Sequence, residues 1–228
     1  MLFVIDKKTP PAAKEKLSLF GEIIEFETEN LVDDYLSGHP DIFFFQNGSS
    51  LIYSPNVPEK FLVKLQSYNV KLIKGYSEVS PGYPGCAKYN AVLGGNTFIH
   101  NPEITDSAIK NGTGNYEKIE VKQGFTRCSL LYLNGKNFIT SDKGIEKKLK
   151  AAGKNVFFED PSGILLPGCK NGFIGGCAGI SENKIFITGM LKSLPNCNEL
   201  KTFISGSGFE IIELYEGPLF DGGGIFIF

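Results

Sequence analysis

One pattern, repeated four times, limits what this chain can fold into. The stretches DIFFFQNGSSLIYSP from Asp41, CAKYNAVLGGNTFIHNP from Cys86, CSLLYLNGKNFITSD from Cys128 and GCAGISENKIFITG from Gly176 each run apolar, turn, apolar. Their turns are short and built from Asn, Gly, Ser or Glu. Asn and Gly tolerate the positive φ of a tight loop, so each stretch reads as a β-hairpin. A helical pattern and a further strand follow: PEKFLVKLQSYN then VKLIKG, DKGIEKKLKAAGKN then VFFED, and NCNELKTFISGSG then FEIIELYEG. Apolar residues at three and four spacing, with Gly153 or Gly208 as stops, mark the helices. After the second hairpin the helix signal, TDSAIKNGTG, is weaker. Asp142 is expected to cap its helix, with Ser141 a rival for that position. The repeating unit is strand, strand, helix, strand, with a period of roughly 40 to 48 residues.

The two ends of the chain each hold part of a fifth unit. LFVID, a helical segment to Gly21 and EIIEF lack a first strand, whereas GGGIFIF at the other end is a strand without a partner. Placing Gly224–Phe228 beside Leu2–Asp6 completes the unit. A ring joined by its own ends avoids an open edge between the first and last units. The units are then residues 41–75, 86–123, 128–159, 176–216 and 220–228 joined with 1–26, all in one domain. Helices in every unit exclude an all-β propeller, and five hairpin-led units do not make an eight-fold parallel barrel. The expected fold class is α/β: a five-fold pseudo-symmetric α/β propeller closed by its N- and C-terminal strands.

Composition narrows the partners. At 228 residues the chain is long enough to bury roughly 70% of its unfolded surface. A formal net charge of -2 offers no basic footprint, so nucleic acid is not an expected partner. No apolar run is long enough to cross a bilayer and MLFVIDKK does not read as a signal peptide, so no membrane partner and a cytoplasmic location are expected. The five cysteines lack any C-x-x-C pair, which argues for reduced thiols and against a zinc ribbon. Phosphate-loop, dinucleotide-fingerprint, H-E-x-x-H and G-x-S-x-G motifs do not occur, and neither cofactor nor metal is expected.

The order and spacing of EVKQGFTRCS, FITSDKGI, GFIGGCAG and GPLFDGGGI resemble the pentein fold of the guanidine-modifying enzymes, and more narrowly an uncharacterised bacterial family of that fold. The resemblance spans essentially the whole chain. It implies a small-molecule pocket at the mouth of a central channel, where a cysteine attacks an amidino carbon, a histidine moves protons and carboxylates hold the cationic substrate. In that superfamily the cysteine follows a glycine run near the C-terminus, and the histidine opens a short strand motif. Here Gly222, Gly223 and Gly224 are followed by Ile225 to Phe228, and EVK puts Glu120 at the histidine position, or Val121 after a one-residue slip. His39 and His100 lie elsewhere. The usual pair is therefore missing from the matching positions.

Other residues offer substitutes. Cys177 follows Gly175 and Gly176 and imitates the glycine-then-cysteine arrangement in another unit, so it is the alternative nucleophile of an amidino hydrolase or transferase, with Glu120 as the acid–base candidate. Its plainer reading is a small buried hydrophobe. Cys169 sits in a loop beside Lys170, which would lower its pKa if exposed. Cys128 begins an apolar run and reads as core. Candidate ligand contacts are Asn90, an amide within the strand run KYNAVL; Lys122, Gln123 and Arg127 around Gly124; and Asp221 with Gly222, where glycines let backbone approach a ligand or make a tight bend. Three functions stay open: a non-catalytic binder of a small polar, amidino-type ligand, a Cys177-dependent enzyme, and an interaction module like the pentein translation factor that binds the ribosome. The sequence assigns no oligomeric state.

Overall fold

A computed structural model describes residues 1–228. The chain opens with β1 (Leu2–Asp6), α1 (Pro11–Ser18) and β2 (Glu22–Phe26). Next come α2 (Pro40–Phe43), β3 (Phe44–Asn47), β4 (Ser50–Tyr53), α3 (Glu59–Ser67) and β5 (Lys71–Lys74). They are followed by β6 (Val92–Gly94), β7 (Thr97–His100), α4 (Ser107–Gly112) and β8 (Glu117–Glu120). Then run α5 (Thr126–Ser129), β9 (Leu130–Asn134), β10 (Asn137–Thr140), α6 (Lys143–Ala151), β11 (Asn155–Phe158) and the short β12 (Ile164–Leu165). The last elements are β13 (Ala178–Ser181), β14 (Lys184–Ile187), α7 (Cys197–Gly206), β15 (Glu210–Glu213), β16 (Leu219–Phe220) and β17 (Phe226–Ile227). No helix is long and apolar enough to cross a membrane.

Four sheets have strand orders β3-β4-β5, β6-β7-β8, β9-β10-β11 and β13-β14-β15, and in each the hairpin is antiparallel and the strand after the helix is parallel. The hairpin turns place Gly48, Gly95 and Gly135 at positive φ, and Glu182 takes the same conformation in the fourth. A fifth sheet, β17-β1-β2, joins the chain ends: Phe3 faces Ile227, Val4 faces Phe226, and Leu2 and Phe228 exchange backbone hydrogen bonds of 2.8 and 3.0 Å. The sixth sheet is the parallel pair β12 and β16. The sheets remain separate ladders rather than one closed sheet. β3 lies close to β6, β6 to β9 and β13 to β17, and Gln46 Nε2 bonds Ile227 O at 2.9 Å.

Each longer helix buries one apolar pair four residues apart: Ala13 and Leu17, Phe61 and Leu65, Ile145 and Leu149, Leu200 and Ile204. Residues at that spacing share a helix face, which is the face turned to the neighbouring sheet. Asp142 caps α6 by accepting from Ile145 N at 2.8 Å, which decides against Ser141. Three boundaries differ from the sequence reading. Asp41 and Cys128 lie in the helical turns α2 and α5, and Asn90 lies in a turn two residues before β6 rather than inside a strand. Short helical turns satisfy backbone polar groups where the chain swings inward before pairing begins.

His100, at the end of β7, has a structural role. Its Nε2 lies 3.0 Å from Gly124 O and its Nδ1 2.7 Å from the Thr105 hydroxyl. A carbonyl only accepts, so Nε2 carries the proton, and the one hydrogen of the Thr105 hydroxyl is shared between Nδ1 and Asn101 O, which lies 2.7 Å away. Burial lowers its pKa to about 4, because the charged ring loses hydration. In a histidine-detected NMR titration, His100 is expected to stay the neutral Nε2–H tautomer from pH 7 down to about pH 4. Protonation near pH 6.5 would contradict this assignment.

Candidate functional site

The segments that lead into the first strands converge on a buried polar centre. The first brings His39 and Asp41 at the start of α2, the second Asn90, the third Arg127 and Cys128 in α5, the fourth the turn Ile174–Cys177, and the fifth Asp221 to Gly224. His39, Asp41, Asn90 and Asp221 are each no more than 1% exposed.

Asn90 joins three of these segments. Its Oδ1 accepts from Arg127 N at 2.7 Å and Cys128 N at 3.2 Å, while its Nδ2 donates to Asp41 O and to Cys128 Sγ, both at 3.2 Å. The Cys128 thiol donates to Asp41 Oδ2 at 2.9 Å. The Arg127 guanidinium donates to Gly175 O and, at 3.1 Å, to Ala178 O, and it stands 5.7 Å over the Phe226 ring. Asp221 accepts from Phe173 N at 2.8 Å and Gly223 N at 3.1 Å. Asp6, at the end of β1, accepts from Lys8 N at 2.6 Å and faces His39 Nε2 at 3.7 Å.

The triple glycine allows this convergence. Gly223 and Gly224 adopt φ of +71° and +78°, a region that side chains disfavour. A Cβ on Gly223 would sit 2.8 Å from Asp41 Oδ1, and one on Gly224 would sit 2.7 Å from Arg127 Nη2. The segment is thus both a tight bend and a close backbone approach.

Burial dominates the electrostatics. It raises the carboxyl of Asp41 to about 7, with Arg127 and the Cys128 hydrogen bond opposing, and it raises Asp6 and Asp221 to about 6 each. Burial lowers His39 to about 3, and Lys8 adds to the effect. The Cys128 thiol is pushed well up by burial and by the charges of Asp41 and Asp221. As folded, the centre is a closed network in which no thiol is ionised.

Two cavities flank it. One of about 290 Å³ reaches Arg127 from the side of Gln46, Leu93, Tyr132 and Phe226. The other, about 130 Å³, is lined by Asp6, Lys8, His39, Leu166, Phe220 and Asp221.

The sequence-derived candidates divide between this centre and the outside. Asn90, Arg127, Asp221 and Gly222 belong to it, Gly222 through its N–H to Gly176 O at 3.0 Å. Lys122 and Gln123 instead line a separate outer groove with Tyr83, Lys147 and Lys148, where Gln123 donates to Asp142 Oδ2 at 3.0 Å. Glu120 ends β8 as an exposed residue and lines neither cavity. Cys177 is 0% exposed among Ile174, Ile187 and Leu191, and burial pushes its thiol well up. A nucleophile at Cys177 has neither access nor a base there, because the thiol faces the apolar core. Cys169 is exposed as expected, yet its thiol is raised rather than lowered, by partial burial and then by Asp221.

His39, Asp41, Cys128 and Asp6 were not among the candidates. Overlaying the units would have revealed Asp41, because it precedes its strand much as Asn90, Cys128 and Asp221 precede theirs. Asp6, at the end of a strand, carries no such signal.

Two experiments check this geometry. An aromatic disulfide reagent at neutral pH should react first with the exposed Cys169 of the native protein, a phase lost in Cys169→Ser, then more slowly with the half-buried Cys197, whereas Cys128 and Cys177 should react only after unfolding. Gly224→Ala should lower stability by about 1–3 kcal/mol from backbone strain alone. Gly206→Ala, in helix α7 with open space around it, should be neutral or raise stability by up to about 1 kcal/mol. Chemical denaturation of both variants makes the comparison.

The fold is that of the penteins. An amidinotransferase of the saxitoxin biosynthetic pathway from Microseira wollei superposes with a TM-score of 0.54 at 11% identity, over 93% of this chain and 88% of that one. DDAH from Pseudomonas aeruginosa, in complex with citrulline, gives 0.56 at 10% identity over 93% and 91%. The C. jejuni agmatine deiminase gives 0.55 at 12% identity over 93% and 74%. No curated protein matches the chain in sequence. Residues 4–226 match the family of unknown function DUF6873, and the chain belongs to that family.

Proposed function

We propose that this pentein binds a small cationic ligand of the amidino or guanidino type in the cavity between Asp6, His39 and Asp221, and that it does so without the cysteine–histidine pair of the guanidine-modifying enzymes at the matching positions. We read the five three-stranded sheets as blades of one five-fold propeller, a single domain with this cavity at one mouth of its central channel. The pairing of β17 with β1 and the packing of successive hairpins support that reading.

One observation carries the ligand class. Asp6 and Asp221 are both 1% exposed and line the same cavity, whose one cationic side chain, Lys8, is engaged by the exposed Asp34 at 2.9 Å. Carboxylates withdrawn from water without a cation are costly, and a bound cation with N–H donors relieves that cost. A cavity of about 130 Å³ has room for a guanidinium or amidinium head. Two of the structural neighbours, an amidinotransferase and an agmatine deiminase, are named for chemistry on compounds of this class.

The network makes binding the stronger reading than catalysis. Arg127 places this chain's own guanidinium in the centre, and the Cys128 and Cys177 thiols are both enclosed. Calorimetry on chelator-treated protein should show guanidinium or agmatine binding and no binding of the neutral urea and citrulline. Asp6→Asn and Asp221→Asn should each weaken it by about tenfold or more, the worth of a lost charge-assisted hydrogen bond. Equal binding of neutral and cationic compounds, or no cation bound at millimolar concentration, would remove this reading.

A further inference from the structure

We propose that His39, Asp41 and Cys128 form a binding site for one divalent transition-metal ion of the zinc class at the centre of the molecule. A ring nitrogen of His39, a carboxylate oxygen of Asp41 and Cys128 Sγ lie within 4.8 Å of one another, and all three residues are buried. Two of the donor atoms are idle: His39 Nδ1 and Asp41 Oδ1 are buried and have no hydrogen-bond partner. Buried polar atoms are seldom left so, and two from different residues within one small cluster point to something that both would contact.

The donor set decides the class. Imidazole, thiolate and carboxylate together suit zinc, and sites with three protein ligands keep a fourth position for water or a small ligand. Nε2 of His39 faces Asp6 at 3.7 Å, which leaves Nδ1 as the available ligand atom, and a carboxylate behind a metal-bound histidine is a common outer partner. Loss of the thiol proton breaks the 2.9 Å hydrogen bond from Cys128 Sγ to Asp41 Oδ2, and Sγ and the ligating Asp41 oxygen would take up the roughly 3.5 Å edge set by Zn–S and Zn–O lengths of about 2.3 and 2.0–2.2 Å. The ion replaces the thiol proton, which leaves to solvent as the metal–sulfur bond forms. The charges balance: the Cys128 thiolate, Asp41 and Asp221 supply three negative charges against two on the ion and one on Arg127.

Ligands drawn from residues 39, 41 and 128 leave no compact sequence motif, which is why the cysteine spacing gave no sign of a metal. The site adjoins the cavity of the preceding section through His39, but its test is separate. The full chain is unfolded in chelator and refolded with Co²⁺ or Zn²⁺, so that burial does not block loading. The expected result is one bound ion per chain, a cobalt–thiolate charge-transfer band, and a higher melting temperature with Zn²⁺ than without. Cys128→Ser should abolish the band, whereas Cys177→Ser and Cys86→Ser, both of buried thiols, should keep it. His39→Gln should lower zinc affinity at least tenfold. A folded protein that binds no ion, or a band that survives Cys128→Ser, would overturn the site. If Cys128→Ser does not fold, loss of the band on alkylating Cys128 in the unfolded chain before refolding, with the other cysteines replaced by serine, gives the same answer, and its persistence refutes the proposal.

Discussion

The Asn90 side chain, saturated by four hydrogen bonds without water, is the interaction on which the centre depends. It holds the backbone N–H groups of Arg127 and Cys128, the carbonyl of Asp41 and the Cys128 sulfur. Where inward-turning segments meet, each brings backbone groups that the strand ladders do not satisfy and that lie too deep for water. An amide, with acceptor and donors on one rigid plane, can serve three such segments at once. Arg127 continues the connection to the fourth segment through Gly175 O and Ala178 O, and Gly176 O receives the N–H groups of Gly222 and Gly224 in the fifth. The centre is therefore a chain of polar bridges, and the apolar clusters pack outside it.

That organisation shapes what the site can do. Burial withdraws the acids, the thiol and the imidazole from water and favours their neutral forms. Asp6, Asp41, Asp221 and Cys128 move up and His39 moves down, all through the same burial. Nucleophilic catalysis through a thiol requires the opposite trend for the cysteine. A cation brought to the centre, whether organic or metallic, would compensate the carboxylates, which explains why the two proposals meet at His39.

Much of the fold was legible because hairpin turns and helix periodicity are local. Asn47–Gly48, the Asp142 cap and the helical pair Ile145 and Leu149 depend on neighbours a few residues away. The site was legible only in part. Asn90 and Asp221 stood out as polar residues beside apolar strands, whereas Cys128 looked like core and His39 lay away from the motif positions, since nothing near them in sequence reveals the partner across the molecule. Lys122 and Gln123, only a few residues from Arg127, were expected to share its surroundings, yet α5 carries Arg127 inward and leaves them on an outer groove.

The sequence by itself determined the strand–strand–helix–strand units and the pairing of the chain ends, because alternating apolar runs and turn residues act over short distances and an unpartnered terminal strand demands an edge. Tertiary structure alone decided which polar residues meet. Asp41 and Cys128 are 87 residues apart in the chain and 2.9 Å apart at the centre. Their protonation, access and capacity to hold a ligand come from being buried together, a property that no local pattern encodes.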